Sequence, residues 1–209
     1  MNFAIIAQQL VSGMGSSLMI FVLTLLFSMP LGLLVAFGRM SKIKPLQAVI
    51  KVFIAILRGT PLMLQLLVVN FAPYYLFRIS LPRWYRFAAI IIGFSINYAA
   101  YFAEIYRSGI ESIPKGQYEA ASVLGYNKNQ TFFRIIFPQM VKRVLPPVTN
   151  EVITLVKDTS LAFVLAYEEM FTVAKQIASA RTSIMPLFVA GVFYFIFNGV
   201  VAFAMERIE

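Results

Sequence analysis

The 209-residue sequence contains no cysteine and no histidine. The first absence excludes disulfides and thiol chemistry. The second removes the commonest metal ligand and the commonest general base, so no metal site and no enzymatic centre is expected. No Gly-x-x-x-x-Gly-Lys-Ser/Thr run occurs, so the chain has no phosphate-binding loop of its own. Any ATP hydrolysis coupled to it belongs to another chain. Charge is scarce as well: Asp, Glu, Lys and Arg make up 13% of the residues, and the first 38 residues hold none. Hydrophobic residues reach 60%, with a mean hydropathy of +0.79. Soluble domains are about 45–50% apolar. The excess calls for a lipid solvent and predicts an all-α integral membrane protein with a single transmembrane domain over 1–209.

What charge there is runs to a net +9. No groove of basic residues interleaved with aromatics accompanies it, so it reads as loop charge set by membrane topology rather than as a nucleic-acid surface. The N-terminus has no basic residue ahead of its apolar stretch, and Arg39 follows it; this reads as a retained first span rather than a signal peptide.

A crossing helix needs about 20 apolar residues. Five stretches meet that length: about 17–38, 46–77, 87–106, 145–167 and 184–205. Arg58-Gly-Thr-Pro61 interrupts the second. As one helix it would measure about 48 Å against a hydrocarbon core of about 30 Å, so it reads either as a kinked or broken span or as a strongly tilted one. Pro146-Pro147 reads as the start of the fourth span, and Pro73 and Pro186 as similar local features. Eleven of the 18 basic residues fall on one side of this layout and five on the other. The richer side is expected to be cytoplasmic, which places the N-terminus outside and the C-terminus inside.

The apolar spans carry a few polar residues that lipid would not tolerate. Asn97, Tyr101 and Glu104 are spaced i, i+4, i+7 and share a helix face. The fourth span contains Glu151, Thr154, Lys157 and Asp158, of which Glu151, Thr154 and Asp158 share a face. A charge at the bilayer centre costs roughly 2.5–3.5 kcal/mol, so this group must face a bundle interior or a wet cavity. Two readings stay open. Either the group lines a polar pathway that holds a zwitterion, with Lys157 or a helix N-terminus for its carboxylate and Glu151, Asp158 or Glu104 for its ammonium. Or it is an internal salt-bridge lock.

The loop over 107–143 reads as two short helices. Pro114 suits a helix start, Glu119 to Leu124 a compact helix with small residues at Ala120 and Ala121, and Gly125 a stop at positive φ. Asn127 with Gln130 has the spacing of a capping box, and Pro138 is expected to end the second piece. A small helix held at the cytoplasmic surface suits a groove in a partner; the plainer alternative is an amphipathic interfacial loop.

Glu119-Ala-Ala121, Gly125, Ile135 and Pro138 resemble the Glu-Ala-Ala…Gly…Ile-x-Leu-Pro loop of the permeases of binding-protein-dependent ATP-binding-cassette importers, with Phe137 in place of the usual Leu. Arg58-Gly-Thr-Pro61 and Lys157-Asp-Thr-Ser160 look like signatures of the polar amino acid branch. The resemblance implies the type I importer permease fold, with five transmembrane helices and a cytoplasmic coupling helix. It further implies a subunit of a bacterial cytoplasmic (inner) membrane complex with two ATPase subunits, a second permease copy or a sister permease, an external substrate-binding protein and an amino acid substrate. ATP and Mg would be held by the ATPases. The coupling element maps onto Gly116, Glu119, Ala120, Ala121, Leu124, Gly125 and Asn127. The substrate-binding residues map onto Asn97, Tyr101, Glu104, Glu151, Thr154, Lys157 and Asp158. The functional expectation is uptake of a polar amino acid, a cationic one among the candidates, by alternating access. An ion-gradient-driven secondary transporter is the alternative.

Overall fold

A computed structural model describes residues 3–208. Nine α-helices follow one another among them: α1 (Phe3–Arg39), α2 (Lys44–Gly59), α3 (Leu62–Phe77), α4 (Tyr85–Glu111), α5 (Lys115–Val123), α6 (Lys128–Thr131), α7 (Phe137–Asp158), α8 (Met170–Arg181) and α9 (Met185–Ile208). Three of these, α1 from Ile5, α4 and α9, are long and apolar enough to cross a membrane. The pair α2 and α3 makes a fourth when taken as one span. That is fewer than the five crossings expected from the sequence. The difference lies in α7, which carries Lys142, Arg143, Glu151, Lys157 and Asp158 and so is not apolar as a whole.

The second stretch is broken outright. α2 and α3 meet at 111°, with Thr60 in an extended conformation between them. The prolines of the fourth stretch behave differently from the sequence reading. Pro138 stands in the first turn of α7, directly after a π-helical turn, and the helix runs on through it instead of ending there. Pro146 and Pro147 lie inside α7 rather than at its start. Pro73 likewise lies inside α3, while Pro186 stands in the first turn of α9. Between α6 and α7 the residues Phe132–Ile136 form a π-helical turn, so 128–158 is one continuous helical rod. After Asp158 the chain tightens into a 3₁₀ helix, Thr159–Leu165, and Ala166 turns it with φ 50°.

α4 is the hub of the bundle, with Phe94, Tyr98 and Phe102 buried against α1, α3 and α7. α1 packs on its neighbours through a line of small residues, Gly13, Ser17, Thr24, Ser28, Gly32 and Ala36, which recur on one buried face, with Gly32 against α4. A Cβ at Gly32 would stand 2.8 Å from Phe102 Cβ and 3.1 Å from the Ala99 carbonyl oxygen. In lipid, where burial of apolar surface between helices supplies little drive, such close backbone approach supplies the dispersion contact instead. The outward faces of α1 and α9 are apolar and exposed, and an open groove on α9 lined by Leu187, Phe188 and Val192 suits acyl chains.

The other end of α1 is anchored by Glu169, which is fully buried. Its carboxylate caps α8 by accepting from the N–H groups of Phe171 (2.7 Å) and Thr172 (2.6 Å). It also accepts from the hydroxyls of Thr172 (2.8 Å), Tyr194 (3.0 Å) and Ser17 (3.4 Å). One side chain thus ties α1, α8 and α9 together. Gly13 makes room for this junction, since a Cβ there would lie 2.8 Å from Met170 Cα.

Candidate functional site

Two adjoining cavities open between the α2–α3 elbow, α4 and α7. One, of about 240 Å³, is lined by Thr60, Leu62, Asn97, Tyr98, Tyr101, Glu151, Thr154 and Asp158. The other, of about 270 Å³, is lined by Arg58, Tyr101, Glu104, Ile105, Arg107, Ser108 and Glu151. Tyr101 and Glu151 belong to both. Six of the seven residues singled out from the sequence therefore meet here: Asn97, Tyr101, Glu104, Glu151, Thr154 and Asp158. Lys157 does not. It is exposed and lines neither cavity, because one residue along a helix turns the side chain by about 100° from Asp158.

The charged groups in these cavities are not equivalent. Glu104 is held by Arg107, at 2.7 Å to the guanidinium Nη2, and lies 3.8 Å from Arg39 Nε. Arg107 in turn pairs with Glu111. This network ties the ends of α1 and α4. Glu151, Asp158 and Arg58 form no ion pair among the described residues. Asp158 accepts a hydrogen bond from the Tyr98 hydroxyl at 2.7 Å. Arg58 lies over the face of Tyr101, its guanidinium carbon 5.2 Å from the ring centroid. The sequence reading missed Tyr98 as a partner of Asp158, and it missed Gln65. Tyr98 lies one residue beyond Asn97, off the i, i+4, i+7 pattern, so spacing alone could not select it.

The first part of the loop between α4 and α7, up to the cap at Asn127, folds as its residues predict. Pro114 caps α5, and Gly125 closes it at φ 76°. The N–H of Tyr126 reaches the Ala121 carbonyl and that of Gly125 the Ser122 carbonyl, the pair of bonds that defines a Schellman stop. Asn127 and Gln130 form the capping box of α6. Ala121 is buried, whereas Gly116, Glu119, Ala120, Leu124, Gly125 and Asn127 are exposed. Val123 and Leu124 present 87% and 73% of their surface, an apolar edge on a helix with no intramolecular partner there. The Gln139 amide, in the first turn of α7, donates to the Gln117 side chain of α5 at 3.1 Å, and Arg143 donates to the Ser112 carbonyl at 2.6 Å.

Residues 28–209 match the family described as binding-protein-dependent transport system inner membrane component. The chain is 40% identical over 158 residues to the L-cystine transport system permease protein TcyB of Bacillus subtilis (strain 168), covering 76% of this chain and 66% of that one. It is 30% identical over 201 residues to the arginine transport system permease protein ArtQ of the same organism, covering 96% and 90%. Among solved structures it superimposes on a chain of an amino acid ABC transporter crystallised with histidines at a TM-score of 0.89, with 29% identity and coverage of 100% and 98%. A chain of the MetNI methionine ABC transporter, at 19% identity and a TM-score of 0.77, shares the fold.

Proposed function

The chain belongs to the family of binding-protein-dependent transport system inner membrane components, and on that premise we propose that it is the membrane-spanning subunit of an ATP-driven importer for a polar amino acid. It crosses the cytoplasmic membrane five times, through α1, the bent α2–α3 pair, α4, α7 with its 3₁₀ extension, and α9, with the N-terminus outside. Glu151 and Asp158 on α7 turn to the cavities, which is why a crossing helix can carry them. The helix α5 and the cap at Asn127 engage one of two ATPase subunits; the exposed Val123 and Leu124 supply an apolar contact and Glu119 a free charge. A second permease, a copy or a sister, completes the translocation path, and an external binding protein delivers the substrate. ATP and Mg bind on the ATPases.

The observation that carries the substrate reading is the pair Glu151 and Asp158, unpaired by any cation of the described chain, with Arg58 sharing one cavity with Glu151 and Asp158 lining the adjoining one. Arg58 takes the carboxylate of an amino acid. Glu151 and Asp158 take its ammonium and, in a cationic substrate, the side-chain charge. With Glu104 already neutralised by Arg107 and Arg39, the remaining wall carries one positive and two negative groups, a balance that suits a cationic amino acid. Glu104 then acts as a lock between α1 and α4, and Lys157 is not a ligand within one subunit.

Reconstitution in vesicles with the ATPase and binding protein tests this. ATP should drive uptake of L-arginine in preference to L-glutamine, and Glu151→Gln with Asp158→Asn should reduce arginine uptake more than glutamine uptake. Equal loss of both would refute the cationic reading. Uptake that an ionophore abolishes and ATP cannot drive would refute the ATP-driven one.

A further inference from the structure

In a continuous helix the Leu57 carbonyl would accept from the N–H four residues on, and that residue is Pro61, which has none. The carbonyl is nonetheless paired twice. The Gln65 amide donates to it at 2.8 Å and the Asn97 amide at 3.1 Å. The same Asn97 nitrogen donates its other hydrogen to Gln65 Oε1 at 3.0 Å. Gln65 Nε2 also lies 3.1 Å from the Thr60 carbonyl and 2.9 Å from the Thr60 hydroxyl. Thr60 Oγ1 meanwhile donates to the adjacent Ile56 carbonyl at 2.8 Å. Side chains from three places thus replace the backbone donors that the break removes. Asn97 belongs to the buried core of α4 and is only 4% exposed, so it ties the elbow to the central helix of the bundle.

The elbow is also where Arg58, Thr60 and Leu62 enter the cavity walls. We infer that Gln65 and Asn97 form an amide clamp that fixes the α2–α3 elbow and thereby positions Arg58 over Tyr101 to receive the substrate's carboxylate. Both hydrogens of the Asn97 amide are committed to the clamp, so Asn97 is a positioning residue, although it lines the cavity. A half-buried carbonyl left without a donor is costly, and this is why two amides converge on one oxygen. The substrate half of this inference rests on the importer reading above; the mechanical half does not.

The test uses the importer complex purified with its ATPase and binding protein. Backbone hydrogen exchange over 58–66 is compared in the parent, Gln65→Leu and Arg58→Gln. Exchange should rise about tenfold in Gln65→Leu, the factor expected when one buried hydrogen-bond donor is lost, and stay unchanged in Arg58→Gln. In ATP-driven uptake of L-arginine each single variant should lose about tenfold, and the double variant should be no worse than the weaker single, because the clamp acts through Arg58. Unchanged exchange in Gln65→Leu overturns the clamp, and losses that multiply in the double variant overturn its action on Arg58. Gln65→Glu, which keeps the length and removes the donor, takes the place of Gln65→Leu if that variant does not assemble. If the parent takes up neither L-arginine nor L-glutamine, the transport reading fails and the exchange data alone decide the clamp.

Discussion

Replacing Glu169 by alanine should damage this protein more than replacing any carboxylate of the cavity. The side chain accepts five hydrogen bonds from four residues on α1, α8 and α9, and it is fully buried. Two of these bonds, from Ser17 and Tyr194, run between helices, where such bonds average about 0.6 kcal/mol each. The three within α8 form its N-cap, and N-cap substitutions cost up to about 2 kcal/mol, giving about 3 kcal/mol in all. For a chain of this length a loss of about 3 kcal/mol corresponds to a fall of roughly 6–12 °C in Tm, on the scaling of soluble domains. The assay is thermal unfolding of the detergent-purified chain, followed by size-exclusion fluorescence. Glu169→Gln keeps one acceptor oxygen but turns an NH2 toward the remaining donors, so it should fall between parent and alanine variant. A Glu169→Ala protein melting within about 2 °C of the parent would show that these bonds are made equally well by other partners, and the anchoring argument would be wrong.

Other expectations follow from single contacts. Gly32→Val should destabilise by about 1–3 kcal/mol in the same melting assay, because its neighbours at 2.8 and 3.1 Å are Phe102 Cβ and a backbone oxygen that cannot rotate away. Gly125→Ala forces a Cβ into the left-handed region at φ 76° and should cost about 1 kcal/mol of stability. Glu119→Ala, on an exposed face of α5, should leave Tm unchanged yet uncouple ATP hydrolysis from uptake in vesicles; normal uptake would refute its role in docking. Tyr98→Phe removes the hydroxyl that donates to Asp158 at 2.7 Å and should lower stability by about 1 kcal/mol, measured by denaturation in detergent.

Local signals in the sequence foretold local structure well. The stop at Gly125, the capping box at Asn127 and the break at Arg58-Gly-Thr-Pro61 each depend on residues a few positions apart, and all three occur. The prolines show the limit of such reading. Pro138 and Pro146-Pro147 carry the same signal, yet one lies in the first turn of a helix and the pair lies inside it, since surrounding packing decides whether a lost N–H matters. The helix-face pattern gathered Asn97, Tyr101 and Glu104 into one region correctly, but it could not tell a free carboxylate from one held by Arg107 and Arg39. Those arginines come from another turn and another helix. Glu169 escaped notice because its partners lie as far away as Ser17. The available hint was an acid three residues before Thr172, at the head of a helix in a chain with only nine acids.

The unbroken helical run from Lys128 to Asp158 has a mechanical consequence. Its 31 residues span about 46 Å at helical rise. Its first turns, α6 and the π-helical turn, pack against α5, and its last turns carry Glu151 and Asp158. A beam of that length pivoting near its middle converts a tilt of about 5° into roughly 2 Å of opposite travel at each tip. That distance is comparable to the difference between a hydrogen bond made and one lost. Small displacements at the end packed on α5 would thus be enough to change the spacing of the groups around Glu151 and Asp158, with no part of the beam needing to unfold.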